Sequence, residues 1–242
     1  MKRLVLLLLC GLGCVPRALG VCMAPQPRLV CAEYSHSTLV AEATLIKIDS
    51  LDSDDNNPGT AWIHIYTLRV DRIFRGTPRP TIRIYEENSS GRATFAWKIG
   101  TQYVLFLFDA DEQPEKGLFE LDGCGNSGPI AQGRSVLGQI ERLQHWRSAF
   151  ITGVVTGNNS SSPLLGPFPH VEVVARGKKA TYKGRTDREG KFSIRVSPGY
   201  YIVKPVHPGL SFELYDLSYD PDYMTMQPGS CAQIQFFGSP QH

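Results

Sequence analysis

Cysteine and histidine are the residues here whose chemistry could go beyond folding, so their spacing is read first. Cys22, Cys31, Cys124 and Cys231 contain no Cys-x-x-Cys pair, and no His-x-x-x-His follows them. A tetrahedral zinc site needs ligands paired at short spacing, so no metal is expected. His36, His64, His145, His170, His207 and His242 are scattered, without His-Glu-x-x-His, and there is no Gly-x-Ser-x-Gly nucleophile elbow. Glycine-rich phosphate loops are absent too. Cys124, in Gly-Cys-Gly-Asn-Ser-Gly, is a conceivable nucleophile, but in an exported chain with an even cysteine count it reads as half of a disulfide. The residues predict no catalytic group and no cofactor.

Export is read from the first twenty residues. Met1-Lys2-Arg3 is basic, Leu4 to Val15 is an apolar run too short to span a bilayer, and Ala18-Leu19-Gly20 offers small residues for cleavage before Val21. Cys14 and Cys22 each lack one requirement of a lipoprotein signal, so lipid anchoring is not favoured. The leader takes Cys10 and Cys14 with it, and the remaining four cysteines suit two disulfides with three open connectivities. Later segments never reach ~18 consecutive apolar residues, so no transmembrane segment is expected. The expected location is secreted or periplasmic. The formal charge of +2 comes from interspersed Lys, Arg, Asp and Glu without a basic stripe, which does not imply a nucleic-acid partner.

Tyr215, Tyr219 and Tyr223 are the candidate ligand contacts. They sit among acids in LYDLSYDPDYMTMQPG, where ring faces and carboxylates could hold a sugar or a proline-rich peptide. The competing reading, that the rings cap a core, is favoured by the usual burial of aromatics. Exposure discriminates the two. Asp52, Asp54, Asp55 and Asn56 lack the spaced ligands, glycine and closing Glu of a calcium loop and read as a solvated hairpin tip. Asn88, Asn158 and Asn159 begin glycosylation sequons, meaningful only in a glycosylating host.

The elements that must position these residues are mostly strands. Short runs rich in Val, Ile, Tyr and Phe, punctuated by Gly, Pro, Asn and Asp, predict strands over 39–48, 62–74, 81–85, 103–108 and 117–121. A change of inward face along the second of them predicts a bulge near Thr67. Val136, Leu137, Ile140, Leu143 and Trp146 form one helical stripe, predicting a helix over 134–147 with Trp146 packed. A second strand set follows, over 151–156, 171–175, 180–186, 192–196 and 200–206. About 220 residues after the leader are enough for two domains, and the boundary falls near Ala149. Within the second set, Asp187 is placed to close an Asx turn, Gly190 to take positive φ, and Phe192 to point inward.

The residues carry two resemblances. ITGVVT, VEVVA, TDREGKFSI and SPGYYIV in 150–242 are similar to the carboxypeptidase regulatory-like (transthyretin-like) β-sandwich, which implies a seven-stranded accessory or binding module. CMAPQPRLVC, LVAEATLIKI, YTLRVDRIFRG, GTQYVLFLF and LFELDGCGNSGPI in 21–149 resemble the netrin-like module of tissue inhibitors of metalloproteinases. This implies a five-stranded OB-like barrel with terminal helices. On this resemblance Cys22 pairs with Cys124, and Cys31 pairs with Cys231, tying the modules together. The inhibitors chelate protease zinc through the free amine of an N-terminal Cys-x-Cys. Here Val21 precedes Cys22 and Met23-Ala24 follows.

The sequence therefore predicts a mainly β protein: a signal peptide over 1–20, an OB-like five-stranded barrel with a C-terminal helix over 21–149, and a docked β-sandwich over 150–242. The expected function is non-enzymatic binding of an extracellular or cell-envelope protein partner. The alternatives are carbohydrate or cell-surface binding through the sandwich, and metalloprotease inhibition. Oligomeric state is not legible in the sequence.

Overall fold

Strand β1 (Leu39–Asp52) is the spine of the N-terminal half, because it pairs along one edge with β2 (Trp62–Arg75) and along the other with β4 (Gln102–Asp109). The computed structural model describes residues 28–52, 62–87, 93, 95–110, 116–157, 166–215 and 224–240. The expected leader, Cys22, the acidic run after Asp52, the sequons, Tyr219 and Tyr223 lie outside them. With β3 (Thr81–Glu87) and β5 (Phe119–Leu121), the order β1-β2-β3-β5-β4 returns to β1 and closes a five-stranded barrel. A two-residue strand, β6 (Gly128–Pro129), pairs outside this ring with β4.

Closure requires β1 and β2 to coil, and three register shifts supply the bend. The pairing Leu45–Leu68 is followed by Lys47–Thr67, leaving Ile46 as the extra residue; Asp71 and Phe74 are skipped in the same way on β2. This corrects the expected bulge near Thr67. The extra residue opposite Thr67 belongs to β1, and the inward face of β2 changes phase at Asp71, between Val70 and Ile73. The strands are also longer than expected, with β1 continuing through Asp49 to Asp52 instead of entering a loop.

Alternation divides the side chains of β1 and β4 between two cores. Ala41, Ala43, Leu45, Tyr103, Leu105 and Leu107 fill the barrel, while Val40, Val104 and Phe106 point outward beneath two helices. These are α1 (Val30–His36) and α2 (Arg134–Leu143), which add Val30, Ile140 and Leu143 to the outer cluster. Burial on both faces explains why residues 103–108 of β4 read as a continuous apolar run. Complete burial of a residue such as Ile140 contributes about 1.5–3 kcal/mol. The helix is shorter than the sequence stripe suggests: α2 stops at Leu143, and Trp146 lies beyond it, 40% exposed, against the Phe150 ring at 5.5 Å. The expectation of a packed Trp146 is corrected. The chain must already be turning there to enter the next strand at Ala149.

The C-terminal half is a sandwich of two sheets. One has the order β10-β7-β14-β12, from β7 (Ala149–Gly157), β10 (Lys191–Val196), β12 (Leu210–Leu214) and β14 (Cys231–Pro240). The other has the order β13-β11-β8-β9, from β8 (Glu172–Gly177), β9 (Thr181–Arg185), β11 (Gly199–Val206) and β13 (Met224–Met226). Ile151, Val155, Val173, Ala175, Ile194 and Ile234 form the core between them. The last three strands are additions to the sequence reading, and β14 runs parallel to β7 through the middle of its sheet.

The turn before β10 is held as its sequence suggests. Asp187 Oδ1 accepts the N–H groups of Glu189 at 3.0 Å and Lys191 at 2.8 Å. Gly190 has φ +73°, and a Cβ there would meet the Val155 carbonyl at 2.5 Å. Phe192 is buried just beyond.

Candidate functional site

The barrel and sandwich meet at α1, and most of the unusual chemistry of the described residues is concentrated there. Seven residues with no side-chain N-cap make a poor helix in isolation, so contacts from outside must hold it. Cys31 on its first turn is bonded to Cys231, the first residue of β14, with 5.5 Å between the α-carbons. Ser35 bridges the same elements, donating to the Cys31 carbonyl at 2.8 Å and accepting from the Cys231 N–H at 3.2 Å. Just ahead of the helix, the Leu29 N–H donates to Gln233 Oε1 of β14 at 2.7 Å. The disulfide expected from the family resemblance is therefore present between Cys31 and Cys231. Cys124 is disulfide-bonded as well, while Cys22 lies outside the described residues.

On the side of α1 facing the barrel, the chain from Asp122 to Ser127 wraps one carboxylate. Asp122 turns the chain by accepting the Cys124 N–H on Oδ1 and the Gly125 N–H on its carbonyl, both at 2.9 Å. Asn126 then donates both its backbone N–H and its side-chain amide to Glu33 Oε2, each at 2.7 Å. The same side-chain amide reaches the Arg28 carbonyl at 3.1 Å. Gly125 is required by this approach, because a Cβ there would overlap Glu33 Oε1.

Glu33 is 5% exposed, and its Oε1 has no hydrogen-bond partner. Its pKa is pushed up to about 7, chiefly because burial penalises the charged form. The two Asn126 bonds act the other way; the Asp122 charge adds to the rise and the Arg28 charge subtracts from it. Arg28 Nε lies 3.2 Å from Asp122 Oδ2, close enough for an ion pair yet without the alignment of a hydrogen bond.

These groups border a cavity of about 80 Å³, whose walls include Arg28, Glu33, His36, Phe108, Asp122 and Gln233. An acid poised near neutrality suits proton transfer. The space, however, is well below the ~300 Å³ of small-molecule sites and suits water. The geometry makes Glu33 a buried strut between α1 and the 122–127 segment, and a proton-sensitive one. Sequence reasoning missed Arg28, Glu33 and Asn126. The available hint was the pair of glycines around Cys124, which allows a backbone to close over another group.

The tyrosine candidates are not brought together within the described residues. Tyr215 is 41% exposed, follows β12, and leans on Phe237 with ring centroids 4.7 Å apart. Tyr219 and Tyr223 lie outside the described residues. Among the described residues, no group of three or more His, Cys, Asp or Glu is placed to hold a metal ion, and no helix is long and apolar enough to cross a membrane. No protein-family model matches the chain, and no curated protein matches it.

Proposed function

We propose that this chain is an exported, non-enzymatic binding protein whose partner is an extracellular or cell-envelope protein. The observation that carries the reading is the Cys31–Cys231 disulfide. A structural disulfide between modules belongs to an oxidising compartment, and this one joins two β units at a surface where α1, the 122–127 segment and β14 converge. The β1-β2-β3-β5-β4 barrel with its following helix supports the netrin-like assignment of 21–149. The two-sheet sandwich supports the carboxypeptidase regulatory-like assignment, with eight strands among the described residues against the seven that the resemblance implies.

A photo-crosslinking amino acid at Arg28, beside the junction, tests this when the secreted protein is returned to the surface of the cells that make it. The expected result is one discrete protein adduct that a crosslinker at Arg188, in the turn before β10, does not give. Identical labelling from both positions would overturn the reading.

A second reading, glycan binding through the sandwich, is favoured by the exposed Tyr215 ring beside Phe237, since an open aromatic face suits sugar stacking. Metalloprotease inhibition would rest on a free amine at Cys22.

A further inference from the structure

A second concentration of unspent polar groups lies at the end of the sandwich nearest the connection from α2. Arg147 and Ser148 of that connection, Tyr182 of β9, Arg195 of β10 and Ser197 of the β10–β11 turn border one open cleft of about 280 Å³. Among the described residues, neither guanidinium is in an ion pair and no carboxylate lines the cleft.

The hydrogen bonds inside the cleft leave it rich in donors. Arg195 directs Nε and Nη2 at Ser148 Oγ, at 2.8 and 2.5 Å. Both lone pairs of that hydroxyl are thereby engaged, and its O–H is left to donate. Tyr182 donates to Ser197 Oγ at 3.0 Å, which likewise frees the Ser197 proton. Among the described residues, Arg195 keeps Nη1 and Arg147 keeps its whole fork of N–H groups. Two permanent positive charges and two serine hydroxyls thus border one space, with no anion among the described residues to neutralise them. Arginine forks match the planar or tetrahedral oxygens of carboxylate, sulfate and phosphate, and bonds to such ions are roughly twice as strong as neutral ones.

We propose that this cleft binds an oxyanion, held by Arg147 and Arg195 and oriented by Ser148 and Ser197. Its volume sits at the lower end of small-molecule sites, leaving room for a free ion or for one carried on a single sugar ring. The side chains lie on a strand edge and on two short connections, so one ligand would touch the linker and the sandwich together.

The test is calorimetric titration of the full, disulfide-bonded chain with sodium sulfate, inorganic phosphate and glucose 6-sulfate, with ionic strength held constant by chloride. At least one should bind saturably with one site per chain. Arg147→Gln, which loses no hydrogen bond among the described residues, should weaken that binding tenfold or more, and so should Arg195→Gln. Arg188→Gln, an equal charge change in the turn before β10, should leave it unchanged. Glucose 6-sulfate binding at least tenfold tighter than sulfate would identify a sugar-borne group, and equal affinities a free ion. Absence of saturable binding by the wild type at tens of millimolar, or equal weakening by all three arginine variants, would overturn the proposal. Thermal unfolding of each variant separates a lost site from a lost fold, and Ser148→Ala, which keeps both arginines, gives a second measure if Arg195→Gln unfolds.

Discussion

Glu33 and Asn126 meet through a single oxygen: Glu33 Oε2 receives both the backbone and the side-chain N–H of Asn126 at 2.7 Å, while Oε1 is left without a partner. A proton on Oε1 removes the buried charge without disturbing either bond. Burial of the charge, which the two Asn126 bonds offset only in part, pushes its pKa up from 4.5 to about 7.

The pH dependence follows. The folded protein holds this proton more tightly than the unfolded chain, so the associated stability is fully present below about pH 4.5 and is lost as pH rises through about 7. The loss is on the order of 3 kcal/mol. Glu33→Gln keeps the shape and removes the titration. Urea unfolding of the oxidised protein from pH 4.5 to 8 should show wild-type stability falling relative to the variant across that window. Parallel curves would sink the assignment.

The end of α2 at Leu143 predicts unequal costs for two residues on the same sequence stripe. Ile140→Ala should destabilise by about 2–4 kcal/mol through a cavity under the helix, because Ile140 is fully buried. Trp146→Ala should cost less than about 1.5 kcal/mol, since that ring is 40% exposed. Denaturant midpoints of the two variants check this, and a larger loss at Trp146 would mean that the helix continues.

Gly190→Ala tests the Asp187 turn. The positive φ and the nearby Val155 carbonyl both oppose a side chain, so a loss of about 2 kcal/mol or more is expected. Thermal unfolding measures it, and an unchanged midpoint would show that the turn can adopt another geometry.

Much of this fold is legible in the sequence, for identifiable reasons. Strands β1 to β3 and β7 to β11 announce themselves through alternation and turn residues, β4 through an apolar run between turns, and Asp187 and Gly190 through turn chemistry. Helix α1 does not, because seven uncapped residues carry too little periodicity and the helix is held by Cys231 and Asn126 from far along the chain. Strand β14 has its alternation, Ala232, Ile234 and Phe236 against Gln233 and Gln235, but parallel pairing with β7 leaves no hairpin turn to mark it. The candidate site is the least legible part. Glu33 is an ordinary acid until Gly125 and Asn126, some ninety residues later, close over it.

An exported protein whose two β modules are joined by a disulfide should give a defined peptide map when the secreted chain is digested without reductant. The expected map has a mature N-terminus at Val21, a peptide pair joined through Cys31 and Cys231, and a second pair joining Cys22 to Cys124. A chain that retains its first twenty residues, or one in which Cys31 and Cys231 are recovered as free thiols, would contradict it.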